Sequence, residues 1–229
     1  MTNLIAATAV FLLIHFVVSG TRMRDTLAAR LGDGAYLGLF SLASVVVLIW
    51  LGFAFTGARG ADGEALWGMT RGTQMAQLVL QLVAVLFILP GLTTANPTSV
   101  QQEGALERPD VIKGMLRITR HPFLWGVAIW AAGHLLVNGE PASLILFGAM
   151  LVLAVFGTAS IDAKRRRALG ATWDSFAAQT SNIPFAAIAA GRQKLSLGEI
   201  GWWRIALAVA VWAVLTWAHP YLFGVRALP

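Results

Sequence analysis

The residues best equipped for chemistry in this chain sit in Ile118-Thr-Arg-His-Pro-Phe-Leu-Trp-Gly126. A guanidinium, an imidazole and a ring-locked proline stand together where a basic loop enters a strongly apolar stretch. Ionisable side chains at a membrane boundary are costly to place and mark functional sites. Proline in a first helical turn costs little, because its missing N–H would have no partner there. The motif therefore predicts a helix that starts at Pro122 with His121 at its mouth. Arg120 offers a planar fork matched to a carboxylate or a phosphate, on a cofactor or on a lipid headgroup. A plain anchoring role for a basic residue beside a span is the simpler reading of the same guanidinium.

Four histidines and no cysteine narrow the metal chemistry. The missing thiols remove disulfides, thiolate metal sites, iron–sulfur clusters and covalent c-type haem attachment. Imidazole is left as the one strong iron ligand, and any haem would be held without covalent attachment. His15 lies about five residues from the end of the first apolar stretch, ~7 Å deep at 1.5 Å per residue. His134 follows His121 by 13 residues, roughly 20 Å along one helix. Depth thus pairs His15 with His121 and His134 with His219, and His121 and His134 cannot share one metal. Each histidine also has a simpler reading, as an interhelical hydrogen-bond donor.

Gln74, Gln77 and Gln81 fall within one stripe about 60° wide on a helix. They read either as helix–helix hydrogen-bonding groups or as the polar wall of an internal site. Asp162 is the one acidic residue at the end of the fifth apolar stretch, with Lys164-Arg-Arg-Arg167 directly after it. It reads as a solvated or ion-paired charge or as a ligand-binding carboxylate.

The elements that must carry these residues are membrane helices. The 229-residue chain is 57% hydrophobic and 12% charged, with a mean hydropathy of +0.70, which excludes an ordinary soluble domain. A helix needs about 17–25 apolar residues to cross a ~30 Å hydrocarbon core. Six stretches qualify or come close: Leu4–Gly20, Tyr36–Phe55, Met75–Leu92, Pro122–Val137, Ala142–Ile161 and Trp203–Leu222. Pro122–Val137 is the short one. The expectation is an all-α, polytopic membrane domain spanning residues 1–229, without internal repeats.

The net charge of +6 is distributed as an orientation signal. Of 17 Lys and Arg, 14 fall in the loops after the first, third and fifth spans; only Arg59, Arg71 and Arg226 lie on the other side. The positive-inside bias makes the odd loops cytoplasmic and both termini external, that is, periplasmic in a bacterial inner membrane. Anionic headgroup contact is a secondary consequence, and no nucleic acid is needed to account for the charge. Met1-Thr-Asn3 carries no basic residue, so the first span reads as a retained helix. Asp110 reads as the cap of a short interfacial helix running to Thr119. Trp173, Phe176, Phe185 and Ile188 give the segment from Asp162 to Gly201 apolar anchors for helices lying in the interface.

Several segments together carry a resemblance. Ile14-His-Phe-Val-Val-Ser-Gly20, Gly114-Met-Leu-Arg-Ile-Thr-Arg-His-Pro-Phe-Leu-Trp-Gly126, Ala132-Gly-His-Leu-Leu-Val-Asn-Gly139, Ile161-Asp-Ala-Lys-Arg-Arg166, Thr180-Ser-Asn-Ile-Pro-Phe185 and Gly191-Arg192 resemble the NnrU family of membrane proteins. The family name is tied to bacterial denitrification. A related plastid family, the zeta-carotene isomerases, uses haem b with redox-switched histidine ligation to isomerise a cis double bond. The resemblance implies haem b, with His15 and His121 as iron ligands and His134 close by. Arg120 or Arg117 would face a propionate, and Gln77 and Gln81 would line the site, between spans one, three and four. The partners implied are the bilayer with either a hydrophobic small molecule or a nitrogen-oxide-linked redox partner. With no cysteine, any ligand exchange must use another group.

Arg120-His-Pro-Phe-Leu-Trp-Gly126, Leu169-Gly-Ala-Thr-Trp173 and Ile183-Pro184 also resemble, more distantly, isoprenylcysteine carboxyl methyltransferases and membrane phospholipid methyltransferases. That likeness implies S-adenosylmethionine held by Arg120, His121 and Asp162. The acidic pair of those enzymes is reduced here to Asp162 alone. A non-catalytic factor that assembles or regulates a nitrite or nitric oxide reductase is the third expectation.

Overall fold

Helix signals in the sequence recur as the ends of the observed elements. The computed structural model describes residues 1–60 and 63–228. The first helix, α1 (Thr2–Leu13), passes into a π-helical turn over Ile14–Ser19 that contains His15. A short α2 (Met23–Leu31) and the long α3 (Asp33–Ala58) follow. Next comes α4 (Arg71–Thr93), which begins in a capping box of Thr70 with Thr73 that satisfies two N-terminal donors. Four residues make α5 (Met115–Ile118), before α6 (Pro122–Val137) and α7 (Pro141–Leu169), both opening on a proline. The chain ends with α8 (Ala171–Gln179), the single turns α9 (Ala186–Ala189) and α10 (Leu197–Ile200), and α11 (Trp202–Phe223).

Among the described residues, five stretches are long and apolar enough to cross a membrane: Thr2–Ser19, α3, α4, α7 and α11. The sixth expected span, α6, has 16 residues, or ~24 Å of helix against a ~30 Å hydrocarbon core. It is nevertheless the centre of the bundle. Its main neighbours are α4 on one side and α7 on the other, with α11 outside α4 and α1 and α3 outside α7. Leu4, Ala7 and Phe11 of α1 pack with Leu51, Ala54 and Ala58 of α3 and Ala142 at the start of α7. Helix α1 therefore runs parallel to α7 and antiparallel to α3.

Small residues allow α6 to approach its neighbours closely, as membrane helices need when apolar burial gives no drive between them. A Cβ added to Gly126 would lie 2.6 Å from Ile88 Cγ1 and 2.9 Å from the Ala84 carbonyl oxygen of α4. One added to Gly133 would collide with the amides of Gln77 and Gln81.

The chain between α4 and α6 folds together with the chain between α7 and α11 into a cap over the basic end. Leu116 of α5 is buried against Trp173 and Phe176 of α8, while Met115 and Ile118 turn to Phe87 and Ile200. The helix expected from an Asp110 cap is confined to Met115–Ile118. Gly114 precedes it at φ +56°, and the Asp110 carboxylate accepts from Lys113 Nζ at 2.7 Å instead of capping a helix. A side chain at Gly114 would be strained by that φ and would press on the Glu199 carbonyl at 3.0 Å.

Replacing Gly126 with Ala is expected to cost about 1–3 kcal/mol through overpacking against α4. Gly148→Ala meets no atom within 4 Å and should leave the thermal midpoint in detergent unchanged or slightly raised. Equal midpoints for both variants would contradict the close α4–α6 approach.

Candidate functional site

A buried polar cluster lies where α6 begins, and Asp162 of α7 is its centre. Asp162 Oδ1 accepts from Arg120 Nε at 2.9 Å and from His121 Nε2 at 2.7 Å. Its Oδ2 accepts from Arg120 Nη2 and from Asn182 Nδ2 at 3.2 Å. The side chains of Arg120 and Asp162 are 12% and 14% exposed and that of His121 is 1% exposed. The carboxylate is thus bracketed by charge-assisted donors in a site largely closed to water.

The backbone around the cluster is held as tightly as its side chains. Arg120 N–H donates to the Ser181 carbonyl, and the Arg120 carbonyl accepts from Asn96 Nδ2 and Thr98 Oγ1. His121 N–H donates to Thr119 Oγ1, and Thr119 Oγ1 donates to the Asn182 carbonyl. That carbonyl also accepts from Trp125 Nε1 at 2.8 Å. Residues without regular structure must find partners for their backbone groups, and here side chains supply them. The result is a rigid elbow that presents Arg120 and His121 to α7.

One atom in this cluster is left over. His121 Nδ1 is buried and has no hydrogen-bond partner. Burial pushes the His121 imidazole below the usual histidine range, against the opposing pull of Asp162. With Nε2 bonded to Asp162, Nδ1 is the ring nitrogen left without a hydrogen-bond partner among the described residues.

The other expected site residues are placed apart from this cluster. His15, in the π-helical turn, donates from Nδ1 to the Phe11 carbonyl at 2.8 Å and lies against the rings of Phe11 and of Phe40 on α3. His134 donates from Nδ1 to the Trp130 carbonyl at 2.9 Å, and its ring stacks on Phe147 of α7 at 4.6 Å. Gln81 Nε2 also reaches the Trp130 carbonyl, Gln77 is pressed along Gly133, and Gln74 Nε2 donates to the Ala227 carbonyl. Gln77 and Gln81 clasp the middle of α6, while Gln74 reaches the chain that follows α11. Arg117 makes a two-pronged pair with Glu199 and donates from Nη1 to Gln193. The polar cluster thus lies between α6, α7 and the Thr180–Ile183 segment, not among spans one, three and four.

A family model described as "NnrU protein" matches residues 3–227. The chain belongs to the NnrU family. This NnrU chain is also 29% identical over 197 residues to the chloroplastic 15-cis-zeta-carotene isomerase of Arabidopsis thaliana, covering 83% of the chain and 52% of that protein. It is 28% identical over 193 residues to the Zea mays protein of the same name, covering 82% of the chain and 50% of that protein. The NnrU chain therefore spans about half the length of the curated relatives it matches. No solved structure matches it.

Some residues of the NnrU site were beyond reach from the sequence. Asn182 stands within the Thr180-Ser-Asn-Ile-Pro-Phe185 motif, yet nothing in its spacing points to Asp162, 20 positions earlier. Asn96 and Thr98 flank Pro97 and carry no signal of a contact with Arg120, more than 20 positions later. Glu199, the partner of Arg117, lies 82 positions from it.

Asp162→Asn preserves the shape but removes the charge that Arg120 is buried against. It is expected to lower the unfolding free energy in detergent by about 3–5 kcal/mol. Adding Arg120→Gln should recover part of the loss, and additive losses would show that the two groups do not interact. The exposed end of the cap has a pH signature. Hydrogen bonding to Arg117 holds the Glu199 carboxyl below its ordinary value of 4.5. Its contribution is therefore complete above about pH 5 and is lost as pH falls through the depressed folded-state value. The thermal midpoint should fall with acid over that range, and Glu199→Gln should flatten the dependence. An unchanged acid limb in the variant would remove Glu199 from the account.

Proposed function

We propose that this protein is a membrane-embedded cis–trans isomerase of apolar polyenes, working with a b-type haem. The observation that carries the reading is the similarity over 83% of the chain to a 15-cis-zeta-carotene isomerase. A long polyene dissolves in the bilayer, and the exposed apolar faces of α3 and α11 lie open to it, so the substrate reaches such a protein laterally. We also place the protein in a bacterial inner membrane with its basic loops cytoplasmic, on the loop-charge bias alone.

Taken one at a time, His121 and His15 each have the hydrogen-bond partner of a haem ligand, although the two rings lie in different parts of the bundle. Iron-ligating histidines characteristically give their other ring N–H to a carboxylate or a backbone carbonyl, which fixes tautomer and ring orientation and raises ligand basicity. His121 meets that condition through Asp162, leaving Nδ1, and His15 meets it through the Phe11 carbonyl, leaving Nε2. The buried, unpartnered Nδ1 is the atom a Lewis acid would satisfy. Bound haem supplies a redox-switchable Lewis acid whose electronics the protein tunes through these partners. The chain's own part is to hold the two rings in one tautomer and to keep water from the site. Arg120 compensates Asp162, so a propionate would need another cation.

The convergence of Arg120, His121 and Asp162 within hydrogen-bonding distance supports a second reading, an S-adenosylmethionine site. That ligand would have to displace bonds the three residues now make to one another.

Protein purified in detergent should show a b-type spectrum, oxidised and dithionite-reduced, with about one haem per chain by pyridine haemochrome. His121→Ala should abolish it. In lipid vesicles the protein should convert 15-cis-zeta-carotene, followed by chromatography. A colourless protein expressed with ample haem overturns the haem. A haem protein without conversion redirects the reading to redox sensing linked to nitrogen oxides. Calorimetric binding of S-adenosylmethionine that depends on Asp162 would favour the second reading over both.

A further inference from the structure

The geometry points to a binding site for the phosphate of an anionic phospholipid, formed by Arg24, Lys164 and Arg165 beside the contact of Gly20 with the end of α7. It does not depend on the isomerase reading. Helices α1 and α7 run parallel, and they come together where Gly20 lies against Ser160; a Cβ at Gly20 would be 3.0 Å from Ser160 Oγ. Beyond this contact the chain turns at Thr21 and Arg22 into α2, where Arg24 stands, and α7 runs one turn on to Lys164, so two cations flank the same junction.

Each cation is left with unused capacity. Arg165 is buried, donates from Nη1 to Glu103 and from Nη2 to the Ser99 carbonyl, and keeps a buried Nε–H with no partner. Arg24 sits over the Tyr36 ring at 5.7 Å and touches exposed Asp25 and Asp33 only at 3.4 and 3.3 Å. Lys164 is half-buried, and among the described residues no carboxylate pairs with it. The charges acting on it most strongly are the cations Arg165 and Arg24, ahead of Asp25 and Glu103. Like charges gathered at a partly desolvated position are unfavourable unless an anion joins them.

The surroundings identify which anion. Val17, Met23 and Leu31 are exposed apolar side chains on the segments leading to and from Arg24. A phosphate between Arg24 and Lys164 would place acyl chains along such a surface, at the end of the bundle where the basic loops gather. A free phosphate has nothing to set against those side chains.

Native mass spectrometry of the detergent-solubilised full-length protein, titrated with phosphatidylglycerol or phosphatidylcholine, tests this. Wild type should retain phosphatidylglycerol preferentially. Lys164→Gln and Arg24→Gln should each weaken retention about fivefold, the effect of one cation near an anionic headgroup. Arg167→Gln, an exposed basic neighbour, should change it less than about twofold, and Lys164→Arg should restore it. Equal losses for Lys164→Gln and Arg167→Gln would reduce the site to a diffuse basic surface and overturn the proposal. Displacement of phosphatidylglycerol by millimolar inorganic phosphate would overturn the lipid assignment in favour of a small-anion site. Absence of any headgroup preference would overturn both.

Discussion

One carboxylate organises the basic end of this protein. Asp162 accepts from Arg120, His121 and Asn182, side chains on two segments far from it in sequence. Breaking such a buried set by removing one partner is costly, because the remaining charge keeps its desolvation penalty without compensation. The cap depends on it in a second way. Residues 96–98, 119–121 and 180–182 have little regular structure, and their backbone groups are satisfied by one another around this anchor. If Asp162 let go, Arg120 and Asn182 would lose the contact that aligns their segments with α7.

The same arrangement explains how a helix too short to cross the membrane can sit at the centre of the bundle. Irregular backbone is tolerated at membrane depth only where protein covers it. At its basic end α6 starts inside the cap. At the other end Leu66 N–H donates to the Gly139 carbonyl and Trp67 Nε1 donates to the Leu135 carbonyl, so the segment before α4 closes over the end of α6. Between these ends α4 and α7 flank it, and glycines let them come close. A longer α6 would push one end out of its cover.

Apolar runs were readable because lipid imposes a length on each of them. Pro122–Val137 appears with the same bounds as the sequence implies, since proline and the Asn138-Gly139 break mark both ends. Where hydropathy and helicity part company, the sequence misleads. Helix α7 continues eight residues past Ile161, because charged residues can extend a helix beyond the apolar core. Arg120-His121-Pro122 was legible as a site, and its partner Asp162 was joined to it only through the distant methyltransferase resemblance, otherwise standing as an isolated acid among basic residues. Pairing them requires knowing that α6 and α7 are adjacent at that end, which no spacing in the chain encodes. The π-helical turn at His15 was equally hidden, since Ile14–Ser19 contains no proline or glycine to mark a break in the apolar run.

The histidines themselves separate into two kinds once their hydrogen bonds are compared. His15, His134 and His219 each donate from Nδ1 to a backbone carbonyl, two of them to the residue one turn earlier in the same helix. A carbonyl can only accept, so each of these rings carries its proton on Nδ1 whatever its surroundings. That bond is a local solution available to a histidine in many helices, and by itself it indicates no function. His121 is reversed: its Nε2–H goes to a carboxylate on another helix, and the bare nitrogen is buried. Its backbone stands at a helix mouth braced by the 96–98 and 180–182 segments. A protein that needed only to satisfy an imidazole would not bury one nitrogen unpaired while anchoring the other so firmly, because an unmade hydrogen bond in the interior costs more than the made one returns. Among the four histidines, it is the bond to a carboxylate on another helix that singles out His121 as the residue around which chemistry should be sought.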